Sequence, residues 1–472
     1  MAIFDDPAAE SDEWWVNRLE RAIHNRNVGQ VGGRRWSTAV LSNDRRTRPG
    51  LELLDAWLRG EPPLPESYAD DWAMAWSTFL RMSRMNYAEL VISSVTDRLV
   101  PVGWSTAADD DPDGDQVAEE VAQETNLVAQ GGDAVQDMLS MADGYLLVGQ
   151  NKGRPLITAE SPLSTITAES PSGPRAGLRI TMDEWTGERE FWLYRPGYVR
   201  TARRDGTQQG FSLGAPQLIP GGEDVFPLVN MRNRRGVGDY ERHLDALTRI
   251  NDSMFTRIVL TKLQAHRQRA LEKDPKVYGE DIDGEDNELE FDPEDFTSGP
   301  DRIWDLPPGV KLWESQASDL GPLRQIVLDD VKHLCAVTGT PLSDAVPDGA
   351  NQSAKGSQIV EDKHLFRVQD RMRRADNGIA RALSLAFQVL GDEKRAPVHK
   401  IQTIWAPVVR YSLTERAQAV SQLNGVWPFE RIATDVMQVR PSELPQLQQE
   451  RLNDFILSGG SGNGSTQPSQ QQ

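Results

Sequence analysis

The residues best placed to do chemistry are the carboxylates of the run Asp109–Glu120, DDDPDGDQVAEE. Asp109, Asp111, Asp113, Gly114 and Glu120 fall at the positions of a calcium-binding loop, where carboxylate oxygens surround the ion and a glycine makes the sharp turn. Such a loop needs a helix on each side, and the preceding VPVGWSTAA does not read as one. Gln116 also replaces the aliphatic residue that pairs two loops, and Pro112 stiffens the turn. The run reads better as an acidic linker feeding a helix whose N-terminus carboxylates favour. The fragment GANQSAKGS places Lys355 before Gly356, so it lacks the Gly-Lys-Ser/Thr order of a phosphate loop. Asp329 and Asp330 are adjacent on a helical stretch and diverge in direction, which makes no metal pair. His24, His243, His266, His333, His364 and His399 are scattered, and no zinc-protease, nucleophile-elbow or dinucleotide motif is present. Cys335, the single cysteine, sits in an apolar helical pattern and reads as a core thiol. No catalytic residue, metal or cofactor is expected.

The elements that would hold any site are those of a 472-residue chain, enough for several structural regions. Its 71 acids against 51 bases leave a net charge of −20, which opposes free binding to nucleic acid. DNA could still pass such a surface without being gripped. The start, Met1-Ala2-Ile3-Phe4-Asp5-Asp6, is acidic where a signal peptide is basic, and no apolar run is long enough to span a bilayer. A cytoplasmic setting is expected.

Two long helical patterns dominate. From Asp239 to Leu271, Leu244, Leu247, Ile250, Met254 and Ile258 recur every three or four residues and make one apolar stripe. From Ser318 to Thr340, Leu320, Leu323, Val327, Val331 and Leu334 do the same, with Pro322 in the first turn and Gly339 and Pro341 at the end. Between them lies an insert, 272–317, rich in acid, Pro and Gly with a few large apolar anchors. Before them, helical stretches lead into a small antiparallel β region. DGYLLVGQN, PLITAES, AGLRITMDEW, REFWLYRPG and YVRTARRDG are short apolar and β-branched runs between turn signals. After them come a long helix, about Gln358–Leu390, a strand in VHKIQTIWAPVVR, short helices, and the low-complexity tail SGGSGNGSTQPSQQQ. The fold class is α+β.

Five stretches in order, LLDAWLRGEPPLP, NYAELVISSVTDRLVPVGW, FPLVNMRNRRGVGDYERHLDALTRIND, VTGTPLSDAVPDGANQSAKGSQIVEDKHLFRVQDRM and WAPVVRYSLTERAQAVSQL…GVWP, give the chain a resemblance to bacteriophage portal proteins. It is similar in particular to the SPP1-like siphophage portal family. No single motif is specific; the order and spacing carry the resemblance. It implies a ring of about twelve subunits at one capsid vertex of the virion, built in the host cytoplasm, through which double-stranded DNA is packaged and ejected. It also implies partners: the terminase large subunit, which supplies ATP hydrolysis, head-tail adaptor proteins, the major capsid protein and a scaffolding protein, with no membrane. In this chain the implied parts are a mainly helical wing with the β region, 1–238, and stem helices 239–271 and 318–340. A small α/β clip follows at 272–317, a tunnel loop at 341–357 and a long wing helix and strand at 358–411. A helical crown, 412–457, and a disordered tail, 458–472, complete it.

The same resemblance places Asp344, Asp348, Asn351 and Lys355 on the tunnel loop facing the DNA channel. It assigns Tyr278, Phe291, Phe296, Trp304 and Trp313 to clip packing and partner docking, and Leu244, Leu247, Met254, Ile258, Leu323, Val327 and Val331 to stem packing. The family often has an acidic residue near the position of Lys355, so the electrostatics of this loop depart from the pattern. Two other classes fit the composition: a different ring-forming virion protein such as a head-tail adaptor, and a metal-dependent phosphoesterase built on the acidic clusters, for which no ligand motif exists.

Overall fold

The structure, a computed structural model, describes residues 10–31, 34–35, 48–63, 73–106, 108, 114–204, 210–265, 269–273, 310–314, 320–346, 354–408, 413–423, 426–437, 439 and 444–457. The chain divides into two compact units. One comprises Met1–Pro63, Asn86–Leu244 and Cys335–Gln472, the other Leu64–Met85 and Asp245–Leu334.

The first unit opens with helix α1, Asp12–Val28, capped by the Ser11 side chain on the Trp14 N–H. A two-residue ribbon, β1 Gln30–Val31 with β2 Arg34–Arg35, follows, then α2, Leu51–Leu58. In the second unit α3 spans Ala73–Met82. Back in the first come α4 Tyr87–Thr96, β3 Pro101–Ser105, α5 Gln116–Glu124 and α6 Leu127–Met141.

Nine strands then run β4 Asp143–Asn151, β5 Arg154–Glu160, β6 Thr165–Ser170, β7 Gly173–Met182, β8 Arg189–Arg195, β9 Tyr198–Arg204, β10 Phe211–Leu213, β11 Gln217–Leu218 and β12 Leu228–Arg232. Strands β10-β9-β8-β7-β6, with β11 on β9, form one antiparallel sheet, and β12-β4-β5 a second. The expected β region is therefore present, and larger than the sequence showed, since β6 and β10–β12 were not singled out. The same four residues, Ile-Thr-Ala-Glu, end β5 at Ile157–Glu160 and fill most of β6 at Ile166–Glu169, one strand in each sheet.

Alternation explains the layering. Ala176, Leu178, Phe191, Leu193, Ala202 and Phe211 point to one face of the larger sheet and pack on Trp15, Val16, Leu19 and Ile23 of α1. The opposite face meets the smaller sheet through Tyr194, Tyr145, Phe226 and Leu228. α1 is pinned at its start by Asp12, which accepts from Tyr198 Oη at 2.9 Å and Arg200 Nη1 at 2.8 Å.

Helix α10, Ala354–Leu390, begins four residues earlier than the pattern indicated and backs the smaller sheet with α6. Its Val368, Ala375, Ile379, Leu383 and Phe387 are buried. The strand read in VHKIQTIWAPVVR is shorter, β15 Gln402–Trp405, and pairs antiparallel with β3. The C-terminal helices are α11 Leu413–Leu423, α12 Phe429–Arg431, which continues into a π turn Ile432–Val436, and α13 Leu444–Leu457.

The chain passes into the second unit through α7, Leu244–Ala265, and returns through α8, Gly321–Thr338. Within that unit Arg249 Nε bridges to Asp330 Oδ1 at 2.9 Å, setting the start of one helix beside the end of the other. The first stem pattern was read as helical to Leu271, but Arg269–Lys273 is strand β13, paired antiparallel with β14, Val310–Glu314. Arg-Ala-Leu-Glu-Lys has strong helix formers; the partner strand that overrides them lies about forty residues away, beyond the reach of any local pattern. The tail 458–472 and most of the clip lie outside the described residues. Among the described residues no helix is long and apolar enough to cross a membrane.

The tightest joint in the first unit is between α6 and β4. A Cβ on Gly144 would lie 1.9 Å from the carbonyl oxygen of Ala134, backbone against backbone. Gly144→Ala is therefore expected to cost about 3 kcal/mol, read as a lowered urea midpoint. Gly149→Ala, in the same strand with open space at its Cβ, serves as the control and should cost less than about 1 kcal/mol.

Candidate functional site

The segment between β12 and α7 carries the chain from the smaller sheet to the first long helix, and its geometry is dictated by side chains that cap backbone. Asn233 is buried; its Oδ1 accepts from the Arg234 N–H, and its Nδ2 donates to Val237 O at 2.8 Å and to Asp239 Oδ1 at 2.9 Å. Arg235 (φ 60°) and Gly236 (φ 61°) are both left-handed, a strained choice for an arginine that the neighbouring bonds hold in place.

Asp239 is the centre of the arrangement. Its side chain is 3% exposed and is flanked by Arg367 Nη2 at 2.8 Å and Arg371 Nη2 at 2.7 Å, one turn apart on α10. Burial alone would raise the Asp239 pKa. The charges of Arg367 and Arg371 and the hydrogen bonds from Arg371 and Asn233 outweigh it and hold the carboxyl below its ordinary value. Arg367 also donates to Thr338 O at 3.0 Å and Val91 O at 3.1 Å, so one guanidinium joins α10 to the end of α8 and to α4. Glu241, in the single helical turn before α7, takes a two-pronged pair from Arg48, Nε–Oε1 2.7 Å and Nη2–Oε2 2.9 Å. The Tyr240 hydroxyl donates to Leu54 O at 2.6 Å, and its pKa is raised by burial and by Asp55, Glu241 and Asp137. His364 is buried with Nδ1 3.1 Å from Gly339 O and Nε2 3.0 Å from Ser94 O. Burial, then Arg98, lowers its pKa and favours the neutral ring, which can donate to only one of those carbonyls.

Beside this network opens a cavity of about 570 Å³. Arg234, Arg235, Arg242 and Lys363 are exposed around it, with Val337 and Phe366 as its apolar part. The two carboxylates lining it are occupied: Asp239 as above, and Asp370 by Arg371 and by Arg374, the latter at 3.2 Å. Among the described residues no carboxylate pairs with Arg234, Arg235 or Arg242. In a chain of net charge −20 this is a concentrated positive surface. None of these residues was singled out as functional from the sequence. The signal that could have found them is the Arg-Arg-Gly turn at 234–236 together with the arginines at 367 and 371, spaced to share a helix face.

Of the four residues expected at the tunnel loop, Asp344 and Lys355 lie among the described residues. Asp344 lies in a short helix, α9 Leu342–Ala345, and pairs with Arg98 at 3.6 Å. Lys355 falls in the first turn of α10, so it belongs to the helix and not to a loop. Asp348 and Asn351 lie outside the described residues, as do Tyr278, Phe291, Phe296 and Trp304; Trp313 stands on β14. Of the stem residues, Leu244, Leu247, Met254, Val327 and Val331 are buried, and Ile258 and Leu323 half-buried. Five of these seven stem residues are thus buried within the single chain.

The acidic run ends in a structural role. Asp115, which the calcium pattern skips, caps α5 on Val117 and Ala118, accepts from Thr106, and pairs with Arg395 Nε at 2.7 Å with its side chain fully buried. Burial would raise its pKa, but the bonds from Arg395 and Thr106 keep it below the ordinary value. Glu120 lies in α5 and accepts from Gln116 Nε2 at 3.1 Å; Asp109, Asp111 and Asp113 lie outside the described residues. Among the described residues no group of three His, Cys, Asp or Glu side chains could hold a metal ion. Cys335 is buried, and burial, with a contribution from Asp344, pushes its thiol up to about 11, so it is not a thiolate at neutral pH.

No protein family and no curated protein matches the sequence. Among solved structures, a chain from the virion of a native gene transfer agent particle is 13% identical, with a TM-score of 0.46, covering 78% of this chain and 94% of that one. A chain from the neck of the empty particle, computed with C6 symmetry, is 12% identical with a TM-score of 0.47, covering 76% and 92%. One from the neck of the native particle, computed with C12 symmetry, is 13% identical with a TM-score of 0.41, covering 79% and 93%.

Because Asp239 has a lowered pKa, its contribution to stability is complete above the unfolded value of about 3.9 and is lost as pH falls through the folded value. Asp239→Asn should cost about 3 kcal/mol at pH 7, since it leaves two buried guanidinium groups short of their counter-charge. In urea titrations the gap between variant and wild type should narrow below pH 4 (about the carboxylate range). A gap that stays constant from pH 7 to pH 3 (roughly spanning that range) would show that the charge is not what Asp239 supplies.

Proposed function

We propose that the chain is the portal subunit of a tailed-phage-type particle, a siphophage portal of the SPP1-like kind. In this reading it forms a ring at one capsid vertex through which double-stranded DNA enters and leaves, and on which the terminase and head-tail adaptors dock. The observation that carries the reading is the path of the chain. A β-and-helix unit sends out one long helix and takes back another, and between them sits an acidic insert whose two ends pair as β13 and β14. That order of parts, wing, stem, clip, stem, wing helix and crown, is the one that the five portal-like stretches imply. The insert's acid and the net charge of −20 suit a passage that DNA is driven through without adhering. ATP hydrolysis belongs to the terminase in this reading, which accords with a sequence that has no phosphate loop.

Native mass spectrometry and electron micrographs of the purified full chain should show a closed, high-order ring with a central hole; recombinant rings can differ in subunit number from the particle. A chain that stays monomeric at tens of micromolar (roughly the range where such contacts associate) overturns the proposal. A second expectation concerns 346–355, between α9 and the first turn of α10. Lys355→Glu and, separately, deletion of 346–350 should leave rings intact and reduce the DNA packaged or retained in particles. Wild-type packaging by both variants would make the segment an ordinary connector.

A further inference from the structure

Trp185 is 97% exposed, at the tip of the β7–β8 hairpin, where a large indole gains nothing from water. Its neighbour Met182 is 65% exposed. The turn that presents it is firmly built. Asp183 Oδ1 accepts from the Trp185 N–H at 2.8 Å and the Thr186 N–H at 3.3 Å. The Gly187 N–H donates to Asp183 O at 2.8 Å with Gly187 left-handed (φ 69°), and the Asp183 N–H donates to Glu188 O at 2.9 Å. The tip is therefore a preformed knob: an indole flanked by the exposed carboxylates of Glu184 and Glu188, which pair with no cation among the described residues.

The cavity beside Asp239 has the opposite chemistry. Its lining holds six cations and two carboxylates; Arg367 and Arg371 pair with Asp239 and Asp370, and among the described residues no carboxylate pairs with Arg234, Arg235, Arg242 or Lys363. Its apolar part, Phe366 at 70% and Val337 at 56% exposure, is uncovered. At about 570 Å³ it falls in the size range that takes an aromatic side chain with its flanking groups.

We propose that the Asp183–Glu188 hairpin of one copy of this chain docks in the Arg234–Arg242–Lys363 cavity of a second copy, with Trp185 against Phe366 and Val337 and Glu184 and Glu188 against the arginines. The indole so exposed on its own copy is not seated in that copy's cavity, so the contact joins two molecules. Knob and socket are different surfaces of one chain, so the contact is head-to-tail, the kind that propagates and closes into a ring. An aromatic anchor in a pocket rimmed by arginine is also the composition in which binding energy concentrates. The inference rests on the ring reading and adds to it the surfaces that join neighbours.

The test uses the full chain and reads oligomer stability by mass photometry on dilution. Trp185→Ala should weaken association by about tenfold or more. Glu184→Lys with Glu188→Lys should do the same, as should Arg234→Glu with Arg242→Glu; Asp183 and the left-handed Arg235 are left in place to spare the local backbone. Combining the two charge reversals should restore association. In a Cys335→Ala background, Trp185→Cys with Phe366→Cys should give a ladder of disulfide-linked multimers on a denaturing gel after oxidation, and neither single cysteine should. This arm stands even where a charge variant folds poorly. Wild-type association in the Trp185 and charge variants with no ladder overturns the contact and leaves the ring reading intact. A wild-type chain that never associates overturns both. If the Arg234/Arg242 variant keeps its association but loses affinity for a short DNA duplex, the cavity is a phosphate site and the proposal is wrong.

Discussion

The first unit depends on a buried carboxylate. Asp239, 3% exposed, can stay ionised only because two guanidinium groups face it, and those groups stay buried only because Asp239 faces them. The cost of breaking the set is high in either direction, so the positions of the parts that carry it are tied together. Through Arg367 the set fixes the end of α8, the carbonyl of Val91 on α4 and the middle of α10 at once. Two residues on, Glu241 and Arg48 repeat the device and add a bond from the Gly238 N–H. One turn back on α10, His364 spans Gly339 and Ser94. The segment leading into α7 is thus held by directional charged bonds, which specify orientation more sharply than apolar contact does.

This joint was not legible in the sequence, whereas most of the elements it joins were. Short apolar and β-branched runs between turn signals located β4, β5, β7, β8 and β9, and three- and four-residue spacing located α7, α8 and α10, because those signals are local. The Asp239–Arg371 pair spans 132 residues, and nothing within either stretch names its partner. The same limit hid β6 and β10–β12, which are short or lack a clean alternation, and gave Arg269–Leu271 of β13 to the end of a helix. At the candidate site the sequence directed attention to acids and to Lys355. The folded chain gathers instead arginines from the turn after β12 and a lysine from α10. Asp115 leads into a helix as the acidic run was read to do, and its carboxylate caps that helix and pairs with an arginine.

The distribution of charge follows from the same physics. Arginine supplies most of the buried and half-buried ion pairs, among them Arg48, Arg179, Arg200, Arg367, Arg371 and Arg395, because its planar fork satisfies two oxygens or several carbonyls from one position. Where arginines line a cavity after the carboxylates beside them have been paired, the surplus is local and positive even though the chain is strongly negative. Among the described residues no carboxylate pairs with Arg234, Arg235 or Arg242, although Asp239 and Asp370 line the same cavity.

The covered stem stripes bear on how copies of the chain can associate. Leu247, Ile250, Met254, Val327 and Val331 are buried within one chain, and among the described residues the large apolar side chains left exposed on these helices are Ile326 and Val337, both on α8. Association built without a continuous apolar seam has to draw on charged surface with single large anchors. Its strength then depends on ionic strength, because exposed ion pairs are screened within about 10 Å at ordinary salt. It also depends on few residues, because isolated anchors concentrate the energy. Copies of net charge −20 repel one another at a distance, so a contact of this kind forms only where the local charges are complementary.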